Sequence, residues 1–148
     1  MKGGASGQLA IDYGDLVRQA FVARELAYAP YSGFMVGAAL LGADGSIFTG
    51  CNIENAAYTP TNCAERTAFF KAVSAGVRQF SAMAVVGGSK DAGHGDVTHI
   101  FPCGVCRQVM AEFCDGDFEI ITAKSPEDYQ VHTLRALLPE AFGPSDLK

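Results

Sequence analysis

Pro102-Cys103-Gly104-Val105-Cys106 places two thiols two residues apart, a spacing at which both converge on one ion. Zinc favours sulfur ligands in a tetrahedral shell. Alone, the pair fits either half of a structural zinc site or a redox dithiol. Cys63-Ala64-Glu65, well upstream, sharpens the reading. Cys63 opens an expected helix, and so does Cys103. Two helix N-termini would then face the same ion and favour thiolate over thiol. Three Cys ligands leave one tetrahedral position for water, the arrangement of a catalytic zinc. Arg66 and Arg107, each next to a site residue, would offset the net negative charge of three thiolates and a divalent ion.

Competing readings attach to the same residues. Asn62 followed three residues later by Glu65 matches a capping box, which would make Glu65 a helix cap. Cys63 also fits a small buried hydrophobe. Cys51 or Cys114 would close a structural four-thiolate site. Cys114 sits at the far end of the helix that Cys103 begins, roughly 16 Å away along the axis, so it cannot share the ion. Cys51 stays open. His94 and His99 precede the Cys pair and are read as loop residues. Five cysteines are an odd number and a poor basis for a disulfide framework.

The elements that must position these groups follow from periodicity. A first helix is expected from Asp12, as N-cap, to Tyr28, ended by Pro30. Phe34 to Leu41 reads as a strand, Asp44-Gly45 as a hairpin turn and Ile47 to Cys51 as the return strand. Gly37 and Ala38 leave the first strand thin, so something should pack closely on it. A second helix from Asn62 to Gly76 is apolar on nearly all sides, which predicts burial all round. Phe80 to Val86 is a strand stopped by Gly87-Gly88, and Ser89 to His99 a polar loop. A third helix runs from Cys103 to about Cys114. Phe118 to Thr122 is another strand, and Thr133 to Leu138 a last short helix. The expected fold is α/β, a three-layer α/β/α sandwich with a mixed central sheet of about five strands.

The chain has 148 residues, fitting a single catalytic domain over residues 11–148 after a tail, residues 1–10, expected to be disordered. The net charge is −5, with Lys and Arg scattered rather than striped. That balance argues against nucleic acid, whose binding rests on clustered cations. It favours a small ligand. No apolar run reaches the roughly 18 residues of a membrane span, and residues 1–8 lack the apolar segment of a signal peptide. The expectation is a cytoplasmic protein.

Five ordered segments carry a family resemblance: residues 30–40, Gly50 to Tyr58 (with Asn52-Ile53-Glu54), Asn62 to Ala68, Pro102 to Gln108, and Leu137 to Phe142. Together they resemble the cytidine deaminase family, in its small, zinc-dependent, homotetrameric branch. Deaminases of polynucleotides and bases usually carry His where Cys63 stands here, so the likeness is to enzymes of free nucleosides. It implies hydrolytic deamination of cytidine and 2′-deoxycytidine to uridine and 2′-deoxyuridine plus ammonia, in pyrimidine salvage. One zinc per chain would activate a water, with Glu65 as proton shuttle. By the same resemblance, Asn52 and Glu54 would bond the ribose 3′-hydroxyl, and Phe34 would pack on the pyrimidine. The Ala64 backbone would contact the base, and Arg66 would hydrogen-bond the ligand sulfurs. Tyr58 and Phe142 would help complete a neighbouring subunit's site.

Rival functions stand beside it. A deaminase of a nucleoside-like antibiotic such as blasticidin S would share the zinc motifs, but Asn52-Ile53-Glu54 favours an ordinary ribose. A cytosine editor of RNA or DNA conflicts with the acidic balance and with Cys63. A non-enzymatic structural-zinc module needs a fourth protein ligand and leaves Glu65 without a task. A redox protein would show a reversible Cys103–Cys106 disulfide.

Overall fold

The computed structural model describes residues 10–148, so the expected tail falls almost wholly outside the described residues. The strands β1 (Phe34–Gly42), β2 (Ile47–Cys51), β3 (Phe80–Ser89), β4 (Glu119–Ser125) and β5 (Asp128–Thr133) form one sheet in the order β2-β1-β3-β4-β5. Only β3 and β4 run parallel; the other pairs are antiparallel, so the sheet is mixed. Helix α1 (Tyr13–Arg24) covers one face. Helices α2 (Ala64–Ser74), α3 (Gly104–Phe113) and the short α4 (Leu134–Leu137) cover the other.

Alternation along the strands feeds two cores. Ala39, Ala84, Val86 and Ile121 pack with Leu16, Val17, Ala20 and Phe21 of α1. Ala38, Leu40, Met83, Val85 and Ile120 pack with Ala68 and Phe69 of α2 and Met110 of α3. Small residues set the helix-to-sheet distance. A Cβ added at Gly37 would lie 2.0 Å from the Ala20 carbonyl oxygen, and one at Gly50 would lie 2.5 Å from that of Ala64. The thin first strand is thin because α1 rests directly on it.

Several boundaries depart from the sequence reading. Helix α1 stops at Arg24 rather than Tyr28, because Tyr28 is drawn into a bridge with Ile53: its N–H donates to Asn52 O at 2.9 Å, and its carbonyl accepts from Glu54 N at 2.8 Å. Strand β3 continues through Gly87-Gly88. Those glycines leave room for Ile100 and Val97 to lie against the strand rather than ending it. Strand β5 carries no expectation from sequence. It is an exposed edge whose mixed side chains give little hydrophobic contrast. Helix α2 is not buried all round. Ala64, Ala68, Phe69 and Ala72 face the core, whereas Phe70 is 49% exposed and Lys71 and Ser74 face outward. One sheet covers only one side of a helix.

The close approach at Gly37 yields a prediction. Gly37→Val should destabilise the protein by about 3 kcal/mol or more, because backbone stands where the side chain would go. Gly93→Ala, with nothing within 4 Å of the new Cβ, should be neutral. Urea unfolding of the two variants checks the contrast.

Candidate metal and active site

Cys63 is the N-cap of α2 and Cys103 the N-cap of α3, and neither helix start carries a side-chain cap hydrogen bond. Cys106 lies in the first turn of α3 and is buried. Cys63 Sγ is 3.8 Å from Cys103 Sγ, and Cys103 Sγ is 3.6 Å from Cys106 Sγ. All three sulfurs lie within 4.8 Å of one another. Two thiolates each ~2.3 Å from a tetrahedral ion sit about 3.8 Å apart, so the donor set fits zinc in spacing and in chemistry. Among the described residues these three form the one such cluster.

The neighbouring cations and acids shape this cluster. Arg66 Nη2 donates to Cys63 Sγ at 3.3 Å, while its Nε is buried without a protein partner among the described residues. The Cys106 thiol, and then Arg66, donate to Cys63 and hold it as thiolate, down to about 5. Cys106, as the donor of that shared proton and a buried group, is pushed up. Glu65 is 4% exposed, and burial raises its carboxyl from the ordinary 4.5 to about 7, with the Cys63 thiolate adding to the rise and Arg66 opposing it. A buried carboxyl near neutrality beside a metal-ligand set is suited to both taking and giving a proton.

The capping-box alternative for Glu65 is not formed. Asn62 Nδ2 donates instead to Thr67 Oγ1 at 3.1 Å. Cys51, on β2, and Cys114, the C-cap of α3, stand outside the sulfur cluster. His99 Nδ1 pairs with Thr122 Oγ1 at 2.9 Å, and the His94 ring lies 4.0 Å from that of Phe21. Arg107 does not meet the sulfurs: its Nε donates to Pro102 O at 2.7 Å and its Nη1 to Leu137 O at 2.6 Å.

The residues expected at the sugar and base surround one short stretch of chain. Asn52 Oδ1 accepts from Val36 N and its Nδ2 donates to Phe34 O, both at 2.8 Å. Glu54 accepts from Tyr31 N, Ser32 N and Ser32 Oγ, which lower its pKa, the hydroxyl most. Ser32 Oγ in turn accepts from Phe34 N at 3.0 Å. Tyr31, Ser32, Glu54, Asn55, Tyr58 and Thr61 line an open cavity of about 450 Å³, which none of the three cysteines lines. Tyr58, at φ 67°, is 72% exposed, and its ring meets that of Tyr31 edge-on at 6.2 Å. Phe142 is 59% exposed, its carbonyl held by Gln108 Nε2 at 2.8 Å. Ala64 has no exposed surface in this conformation. Sequence reasoning assigned no role to Ser32, which joins Glu54 to Phe34, or to Arg24, a lone cation within an apolar helix face.

An α/β sandwich with three thiols and a buried carboxyl at paired helix starts offers a donor set that could hold a metal ion, with a titratable group beside it. Comparison with known proteins agrees. The family description "Cytidine and deoxycytidylate deaminase zinc-binding region" matches residues 12–122. The cytidine deaminase of Sporosarcina psychrophila is 53% identical over 137 residues, 93% of this chain and 96% of that protein. That of Halalkalibacterium halodurans is 51% identical over 89% of this chain and 95% of its own length. Among solved structures, the cytidine deaminase of Burkholderia pseudomallei aligns with a TM-score of 0.76 at 50% identity, over 86% of this chain and 97% of that one. The Mycobacterium tuberculosis enzyme aligns at 0.75 and 40% identity, over 90% and 99%. The chain belongs to the cytidine and deoxycytidylate deaminase family. No helix among the described residues is long and apolar enough to cross a membrane.

The buried carboxyl generates a pH prediction for the metal-free protein. Glu65 has a folded pKa above its unfolded one, so its contribution is full below about 4.5 and is lost as pH rises through about 7. Glu65→Gln is neutral throughout. In metal-free samples the variant should gain about 3 kcal/mol on the parent between acid and alkaline conditions. Denaturant melts across that range check it; a pH-independent difference would mean that Glu65 ionises freely in the fold.

Proposed function

We propose that this chain hydrolyses cytidine and 2′-deoxycytidine to uridine and 2′-deoxyuridine, releasing ammonia, with one zinc held by Cys63, Cys103 and Cys106. The observation that carries the reading is the three-sulfur cluster with Glu65 buried beside it. Zinc, when bound, supplies a lowered water pKa at neutral pH. Glu65 takes the proton of the attacking water and gives it to ring N3. It then takes the proton of the new C4 hydroxyl and passes it to the leaving amino group, so that the C4 carbonyl forms as ammonia departs and one carboxyl acts as base and then as acid. Arg66 tempers the sulfur charge. Phe34 packs on the pyrimidine, and the Ala64 backbone contacts the base. Asn52 keeps one amide N–H, and Glu54 keeps lone pairs, for the ribose 3′-hydroxyl.

The cysteines need a reducing compartment to stay available as ligands, so we place the protein in the cytoplasm, in pyrimidine salvage. We also propose a homotetramer in which Tyr58 and Phe142 reach a neighbour's site. Exposed Phe70 on α2, Val105 on α3 and Phe142 support a further apolar cover on that layer.

Three outcomes test the reading. Ultraviolet assay of cytidine conversion, with zinc counted on the same sample, should give turnover and one zinc per chain; full activity without metal refutes it. Glu65→Gln should keep fold and zinc but lose nearly all turnover, whereas a mild loss would leave the carboxyl without a chemical role. Light scattering with activity across dilution should show a tetramer that loses activity as it dissociates, and a fully active monomer contradicts shared sites.

A further inference from the structure

Arg24 ends α1, on the face of the sheet opposite α2 and α3. It is 3% exposed. Ion pairs among the described residues are Arg18 with Asp15 and Arg135 with Asp117, so no carboxylate answers this buried charge. Four backbone carbonyls do. Nε donates to Met35 O at 2.9 Å and Nη1 to Ala92 O at 2.9 Å, while Nη2 donates to Gly88 O at 3.2 Å and to Ser89 O. The carbonyl end of α1 adds a favourable field. An apolar side chain would fill the space without the cost of a buried charge. What the guanidinium adds is direction: several donors in a rigid planar fork.

Those directions converge on the stretch that carries the proposed substrate contacts. Met35 lies between Phe34 and Val36, the two residues whose backbone Asn52 holds. Ser89 and Ala92 flank Lys90, whose N–H donates to Gly33 O at 2.9 Å. Gly33 follows Ser32, the partner of Glu54. The segment from Tyr31 to Val36 is therefore gripped twice. Glu54 and Asn52 hold one side. Arg24 holds the other, directly at Met35 and through the Ser89–Ala92 turn at Gly33.

We propose that Arg24 is a positioning residue for substrate binding: its four carbonyl bonds set the placement of Phe34 and of the Ser32 turn without touching substrate. The inference rests on the nucleoside reading above. The sulfur cluster and Glu65 belong to helices on the far face of the sheet, so the consequence falls on binding rather than on chemistry.

Arg24→Met in the full-length, zinc-loaded protein tests this. KM for cytidine should rise about tenfold or more, the scale of one or two lost buried hydrogen bonds. Both kcat and zinc per chain should stay within about twofold of the parent, and amides of residues 33–36 and 89–92 should exchange faster with deuterium. Arg24→Lys, which keeps the charge and fewer donors, should fall between the two. A KM within about twofold of the parent, unchanged exchange in those segments, or a loss carried by kcat or zinc content overturns the proposal. So does failure of both variants to fold, which would make Arg24 a residue of the folding core. If the parent itself leaves cytidine untouched, the functional reading fails, and the exchange measurement alone judges Arg24.

Discussion

The site depends on two helix starts meeting at one point. Cys63 and Cys103 are the caps of α2 and α3, so the sulfur spacing is set by how those helices lie on the sheet. Side-chain size sets that geometry. The N-terminal half of α2 carries the fully buried Ala64 and Ala68, and Gly50 lets α2 sit hard against β2. Farther along, Phe69 stands among Phe80, Phe113 and Phe118, with ring centroids 5.0 to 6.1 Å away. Small residues at the start of α2 let it lie close to the sheet, and the ring cluster around Phe69 ties α2 to the sheet and to the end of α3.

Electrostatics then follows from that meeting. Two uncapped helix starts present free N–H groups and positive partial charge to the sulfurs, and Arg66 adds a full charge at Cys63. Glu65 is carried beside the thiolates by the same first turn of α2. Burial there raises its pKa to about 7, so near neutral pH both its protonated and its ionised forms are populated. Three thiols crowded beside a carboxyl cannot all ionise together, so hydrogen bonding lowers the pKa of Cys63 while that of Cys106 is pushed up.

The sulfur cluster was legible because each of its segments joins a cysteine to a helix start, two independent signals at one place. The fold was legible in outline because β1, β3 and β4 are strongly apolar, while the exposed edge β5 lacks that contrast. Composition showed α2 to be apolar on most faces but not what covers each; within the single chain the sheet covers one side and Phe70 stays exposed. Arg107 was read from adjacency in sequence as a charge that offsets the site, yet its guanidinium is spent on the Pro102 and Leu137 carbonyls rather than on the sulfurs. Arg24 and Ser32 were silent because their partners are backbone groups distant in sequence, which no local spacing encodes.

The central claim is that three sulfurs from two helix starts hold one catalytic ion with a position left open. X-ray absorption at the zinc edge of the purified protein measures this directly. The account predicts three sulfur scatterers at ~2.3 Å and one lighter oxygen or nitrogen scatterer near 2.0 Å. Four sulfur scatterers, or two with the remainder from histidine, would mean a closed or different site and contradict it.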